Sequence, residues 1–126
     1  MGSATSFEWR RGPGENLTLT PVGLNWSSNT ASRAVLSKAT GGASKLVVLA
    51  PGDWTSIITE GDLKTKVEAG SDLASYGVPI ATSNQNVILG TKVGSVYYLI
   101  RITETAFDEG HTNIHSMTGQ IKTNAN

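Results

Sequence analysis

The chain has 126 residues, enough for one ordinary domain, and ten Lys plus Arg balance ten Asp plus Glu. Charged residues make up only 16%, which excludes a charge-driven disordered chain and a nucleic-acid coat built on Lys and Arg. There is no cysteine, so disulfides, thiolate zinc sites, iron–sulfur clusters and cysteine nucleophiles are excluded together.

Residues 1–15 read as an N-terminal arm, with Gly12-Pro13-Gly14 closing it off from a β-domain over 16–123 and a frayed tail at 124–126. Met1 to Gly14 has no apolar stretch of the kind a secretory signal needs. Phe7, Trp9, Arg10 and Arg11 crowd this arm. Trp and Arg are the residues most enriched at binding hot spots. The four read either as an anchor on a neighbouring subunit or as a segment that folds back on its own domain.

Thirteen Ser, 15 Thr, 14 Gly and 8 Asn supply the polarity that charge does not. Thr favours strands, and Gly, Asn and Ser favour turns. Leu17 to Thr20 alternates as a short strand, and Asn25 to Asn29 reads as a turn. Arg33–Thr40 and Lys45–Ala50 flank Gly41-Gly42, which predicts a hairpin. Leu46 to Leu49 is apolar on both faces and predicts a central strand.

Trp54–Thr59 predicts a strand, Glu60-Gly61-Asp62 a turn, and Leu63–Ala69 a strand in strict alternation. A helical reading of the last segment would put Leu63 and Val67 on one side. Asp72–Tyr76 suits a short helical turn, and 79–85 a loop. Asn86–Thr91 and Ser95–Thr103 form a second predicted hairpin. Val96, Tyr98, Ile100 and Ile102 are its expected core face. Thr105–Gly110 reads as a loop and Thr112–Thr123 as a last extended segment. The sum predicts an all-β domain, a single small sandwich or barrel of about seven or eight short antiparallel strands with extended termini.

Catalytic chemistry is sparse. His111 and His115 are the sole histidines, spaced i, i+4 beside Asp108 and Glu109. Catalytic zinc usually takes a third protein ligand, so no metal is expected there, and the pair reads as polar surface or a pH-sensitive interface. No Gly-x-Ser-x-Gly elbow occurs. Asp53, Glu60 and Asp62 form the best calcium set, and paired carboxylates could come from these three or from Asp108 and Glu109, yet all five lie in turn-like stretches. Trp26 and Trp54 sit in or beside predicted loops and could stack on sugar rings; the alternative is that they plug the ends of the core. Zero net charge and the lack of a basic stripe argue against nucleic acid. The longest apolar run, Leu46 to Ala50, is far short of a membrane span. No enzyme and no cofactor are expected.

The arm MGSATSFEWRRGPG, the short Ser/Thr/Gly-rich strands and the terminus TGQIKTNAN resemble the small virion structural proteins of tailed bacteriophages. These comprise capsid decoration (cement) proteins and head–tail or tail accessory proteins. The resemblance implies a non-enzymatic virion protein assembled in the host cytoplasm. It implies binding to the outside of the major capsid protein shell and a homo-oligomer, with a trimer favoured. A β-sandwich carbohydrate-binding module is the competing expectation.

Overall fold

The computed structural model describes residues 3–12, 16–29, 33–57, 59–79, 86–107 and 114–123. Nine strands and two helices follow in chain order. They are β1 (Thr5–Arg10), β2 (Leu17–Leu19), β3 (Leu24–Asn29), β4 (Arg33–Lys38), β5 (Lys45–Leu49), α1 (Asp53–Ser56), α2 (Glu60–Ala69), β6 (Ser75–Pro79), β7 (Val87–Val93), β8 (Val96–Phe107) and β9 (Ile114–Thr123). The strands form two antiparallel sheets, ordered β1-β9-β8-β7-β5 and β2-β3-β4-β6. The fold is therefore the all-β sandwich its composition implies.

The space between the sheets is filled by the inward residues of both. Leu19, Leu24, Trp26, Leu36 and Val78 come from the smaller sheet. Trp9, Leu46, Leu89, Tyr98, Ile100, Ile102, Met117 and Ile121 come from the larger. Tyr98, Ile100 and Ile102 are the alternating face expected of β8. The other face of β8 is buried too. Tyr97 and Leu99, with Val47 and Ile88, meet Trp54, Ile57, Leu63 and Val67 of the helical segment. Part of the larger sheet is thus the middle of three layers.

Local chemistry explains why Asp53–Ser56 and Glu60–Ala69 are helices where two strands were predicted. Thr59 caps α2: its hydroxyl accepts from the Asp62 N–H at 3.1 Å, and the Asp62 carboxylate accepts from the Thr59 N–H at 3.3 Å. This reciprocal pair satisfies two otherwise orphaned donors. At α1 the Asp53 carboxylate accepts from the Ala50 N–H at 2.9 Å, which ties the turn before the helix to its first residue. Leu63 and Val67 are then fully buried while Thr65 is exposed, which is the i, i+4 pattern and not the alternating one. The helix lies close to the sheet because Gly90 has no side chain: a Cβ there would sit 2.8 Å from Val67 Cγ2.

Other expectations are corrected by sheet topology. Asn25–Asn29 belongs to β3, where Trp26 faces inward at 0% exposure. β4 and β5 do not form a hairpin: β4 pairs with β3 and β6, β5 with β7, and Gly41-Gly42 carries the chain from one sheet to the other. β5 is an edge strand rather than a central one; α2 covers the Val47 side that a neighbouring layer must hide. Strand β6, Ser75–Pro79, takes in the end of the helical turn expected over Asp72–Tyr76, and β8 runs on to Phe107 where a loop was expected. Residues 5–10 are not a detached extension, because β1 pairs with β9 from Thr5↔Ile121 to Arg10↔Ser116. The predicted loop over 79–85 and the tail at 124–126 fall largely outside the described residues.

Candidate interaction surfaces

Phe7 and Trp9 project from β1 toward the core. Their rings stack at 3.8 Å between centroids, 21° from parallel. Trp9 is 8% exposed and Phe7 half-buried. Gly119 stands opposite Phe7, and a Cβ there would collide with the Phe7 ring and the Arg101 carbonyl. The two aromatics thus anchor β1 to its own sandwich. Arg10 points the other way and pairs with Glu8 at 2.9 Å, both well exposed. Arg11 is buried at 8%. Of the four residues singled out in this segment, Arg10 alone is fully presented to solvent.

The edges of the sheets differ. At β5, the Leu46 N–H donates to Asp72 Oδ1 at 3.0 Å, and the Leu46 carbonyl accepts from Leu73 N–H at 2.8 Å. Asp53 takes the Ala50 N–H further along. Asp72 is itself held by Lys38, 2.7 Å away. The hydrogen bonds from Lys38 and from Leu46 keep the Asp72 carboxyl below its usual pKa. In the smaller sheet, β2 has three residues and β6 ends at Pro79; short strands and proline both blunt an edge. β1 is six residues long and pairs with β9 alone. Among the described residues no group caps its outer edge.

Trp26 and Trp54 are 0% and 7% exposed, so neither offers the open ring face a sugar platform needs. Trp54 has its own polar surroundings. Lys122 Nζ lies 4.3 Å from its ring centroid and donates to its carbonyl at 3.1 Å; the Arg101 guanidinium lies 5.7 Å from the same ring. Arg101 Nε is buried without a hydrogen-bond partner. Nothing singled out this pair in advance. The available signal was one cation, Arg101, inside the apolar strand VYYLIRIT.

A second polar cluster lies at the other end of α2. Tyr97 Oη and Lys92 Nζ both donate to Glu68 Oε1, the latter at 2.9 Å. The Tyr97 hydroxyl, then Lys92, hold the Glu68 carboxyl below its usual pKa, and Glu68 in return raises both Lys92 and Tyr97. These partners satisfy one another, so the cluster pins α2 to β7 and β8. Two shallow clefts lie among the described residues, about 230 Å³ beside Pro21 and Gly41 and about 190 Å³ beside Ile57 and Lys66. The second is lined by Ser56 and Thr65 together with Asp62 and Lys66, but Asp62 is engaged in the α2 cap and Lys66 pairs with Asp53.

Asp53, Glu60 and Asp62 do not converge. Asp53 lies in the first turn of α1, accepts from the Ala50 N–H and lies 3.5 Å from Lys66, whereas Asp62 belongs to the α2 cap. Among the described residues no three His, Asp or Glu groups could share a metal ion, and no helix is long and apolar enough to cross a membrane. His111, Asp108 and Glu109 lie outside the described residues. So does the side chain of His115, whose backbone belongs to β9. Comparison with protein-family models, curated proteins and solved structures finds no match to this chain.

Proposed function

We propose that this chain is a non-enzymatic structural subunit of a virus particle, a decoration or cement protein seated on the outside of the major capsid protein shell. The observation that carries the reading is that, among the described residues, the outer edge of β1 is uncapped in a sandwich whose other strand edges are capped, short or proline-ended. An open strand edge is a template for pairing with another chain, and folds normally suppress it. One left open suits strand addition, in which main-chain hydrogen bonds supply affinity. Repetition over a shell multiplies weak contacts into avidity. Around a three-fold axis the same edge meets a different surface of the next copy, a heterologous contact that closes into a trimer.

Light scattering after gel filtration tests this. The expected mass is three times the 13.2 kDa of one chain. Proline at Thr5 or at Ser6, both exposed, removes N–H groups that point in opposite directions along β1. One variant loses a ladder bond to β9; the other keeps the fold and loses only the edge. The second should run as a folded monomer. A wild-type monomer at every concentration, matched by both variants, would overturn self-assembly through this edge.

A further inference from the structure

We infer that the outer face of the larger sheet carries an oxyanion-binding site, built by Arg101, Gln120 and Lys122 against the wall of Trp54. The inference stands apart from the reading of β1 as an assembly edge. Register places the donors together. Arg101 on β8 is opposite Gln120 on β9, which is opposite Ser6 on β1, while Lys122 is opposite Leu99, one step along the same face. Neighbouring strands lie ~4.8 Å apart, so the three residues are backbone neighbours on one face, and the Arg101 and Lys122 head groups both reach the Trp54 ring.

Arg101 and Lys122 both lie against one indole. Among the described residues neither has a carboxylate within salt-bridge distance; the ion pairs occupy other cations. Among the described residues the acids on these elements make no ion pair with either cation; Glu104 of β8 is exposed opposite Thr118. Asp53 serves Ala50 N–H and Lys66, and Glu8 serves Arg10. The electron-rich ring and the Trp54 carbonyl offset part of the positive charge. They leave the buried Arg101 Nε unpartnered. A buried donor with no acceptor is a standing cost. An oxyanion relieves it, because guanidinium matches planar or tetrahedral oxygens with two parallel bonds. The ligand class is therefore a phosphate, sulfate or carboxylate group.

The test is an NMR titration of the full chain, following the Trp54 indole N–H and the Gln120 side-chain amide. Inorganic phosphate or acetate replaces chloride at constant ionic strength. Both signals should shift saturably with at least one of the two anions, and the comparison separates a tetrahedral dianion from a carboxylate. Arg101→Gln and Lys122→Gln should each weaken binding tenfold or more, while Lys122→Arg, which keeps the charge, should retain it. Far-UV circular dichroism checks that every variant is folded. If neither anion gives a saturable shift, or if the shifts persist unchanged in both Gln variants, the site does not exist.

Discussion

Individual residues divide into those that fill the sandwich and those that fit it imperfectly. Trp26, at the centre of β3, and Leu99, under α2, are fully buried and apolar. Thr91 is equally buried, yet its hydroxyl has no hydrogen-bond partner among the described residues. It lies on β7 opposite Leu46 and Tyr98, on the face turned to the smaller sheet. An unsatisfied buried hydroxyl costs about 1–3 kcal/mol. Valine has nearly the same shape without the polar atom. Thr91→Val should therefore stabilise the fold by about 1 kcal/mol, read as a higher urea midpoint at constant slope. Equal or lower stability would show that the hydroxyl is satisfied in solution.

At the scale of elements, the sealed edge of β5 depends on one carboxylate. Asp72 accepts from Lys38 and from the Leu46 N–H, and these bonds lower its pKa in the folded state. A lowered folded pKa means a contribution that is complete above the unfolded value, ~3.9, and is lost as pH falls through the folded value. The stability difference between wild type and Asp72→Asn should accordingly stay constant above pH ~5 and shrink toward pH 2, measured by urea unfolding. A difference independent of pH over that range would remove Asp72 from the acid response. The same segment shows what the sequence makes legible. β7 and β8 could be read in advance because alternation, β-branched residues and the glycine turn signal at Lys92-Val93-Gly94 agree, although β7 runs on to Val93 and the turn is Gly94-Ser95. β5 reads as central because periodicity reports that both faces are covered, not whether a strand or a helix lies beyond. Residues 63–69 satisfy strand and helix periods equally at Leu63 and Val67, and the Thr59–Asp62 cap decides between them. Trp26 reads as a loop residue because Asn and Ser surround it, although burial of the indole outweighs their turn preference. The Arg101–Lys122 site depends on the β8–β9 register, which no local pattern specifies.

On the scale of the whole molecule, the three layers are not equally anchored. β8 is buried on both faces from Tyr97 to Ile102 except at Arg101. α2 buries only Leu63 and Val67 among its ten residues and carries Gly61 in its first turn. Two such side chains contribute roughly 3–6 kcal/mol of burial, against roughly 1–2 kcal/mol of backbone entropy for each residue fixed. The helix persists because the sheet holds it, through Ile57 and Trp54 packing and the Glu68–Lys92–Tyr97 contacts. Opening that layer uncovers Val47, Ile88 and Leu99 but leaves the space between the sheets closed. Native-state hydrogen exchange should then place the Leu63–Val67 amides in a sub-global opening, lower in free energy than the Tyr98–Ile102 amides by at least ~1 kcal/mol. Equal values would mean that the sandwich and its helical cover unfold as one unit. Because Trp54 belongs to the cover and Arg101 to the sheet, an oxyanion held between them stabilises only the closed arrangement. Phosphate or acetate, whichever binds, should raise protection of α2 selectively and leave β8 exchange through smaller fluctuations unchanged.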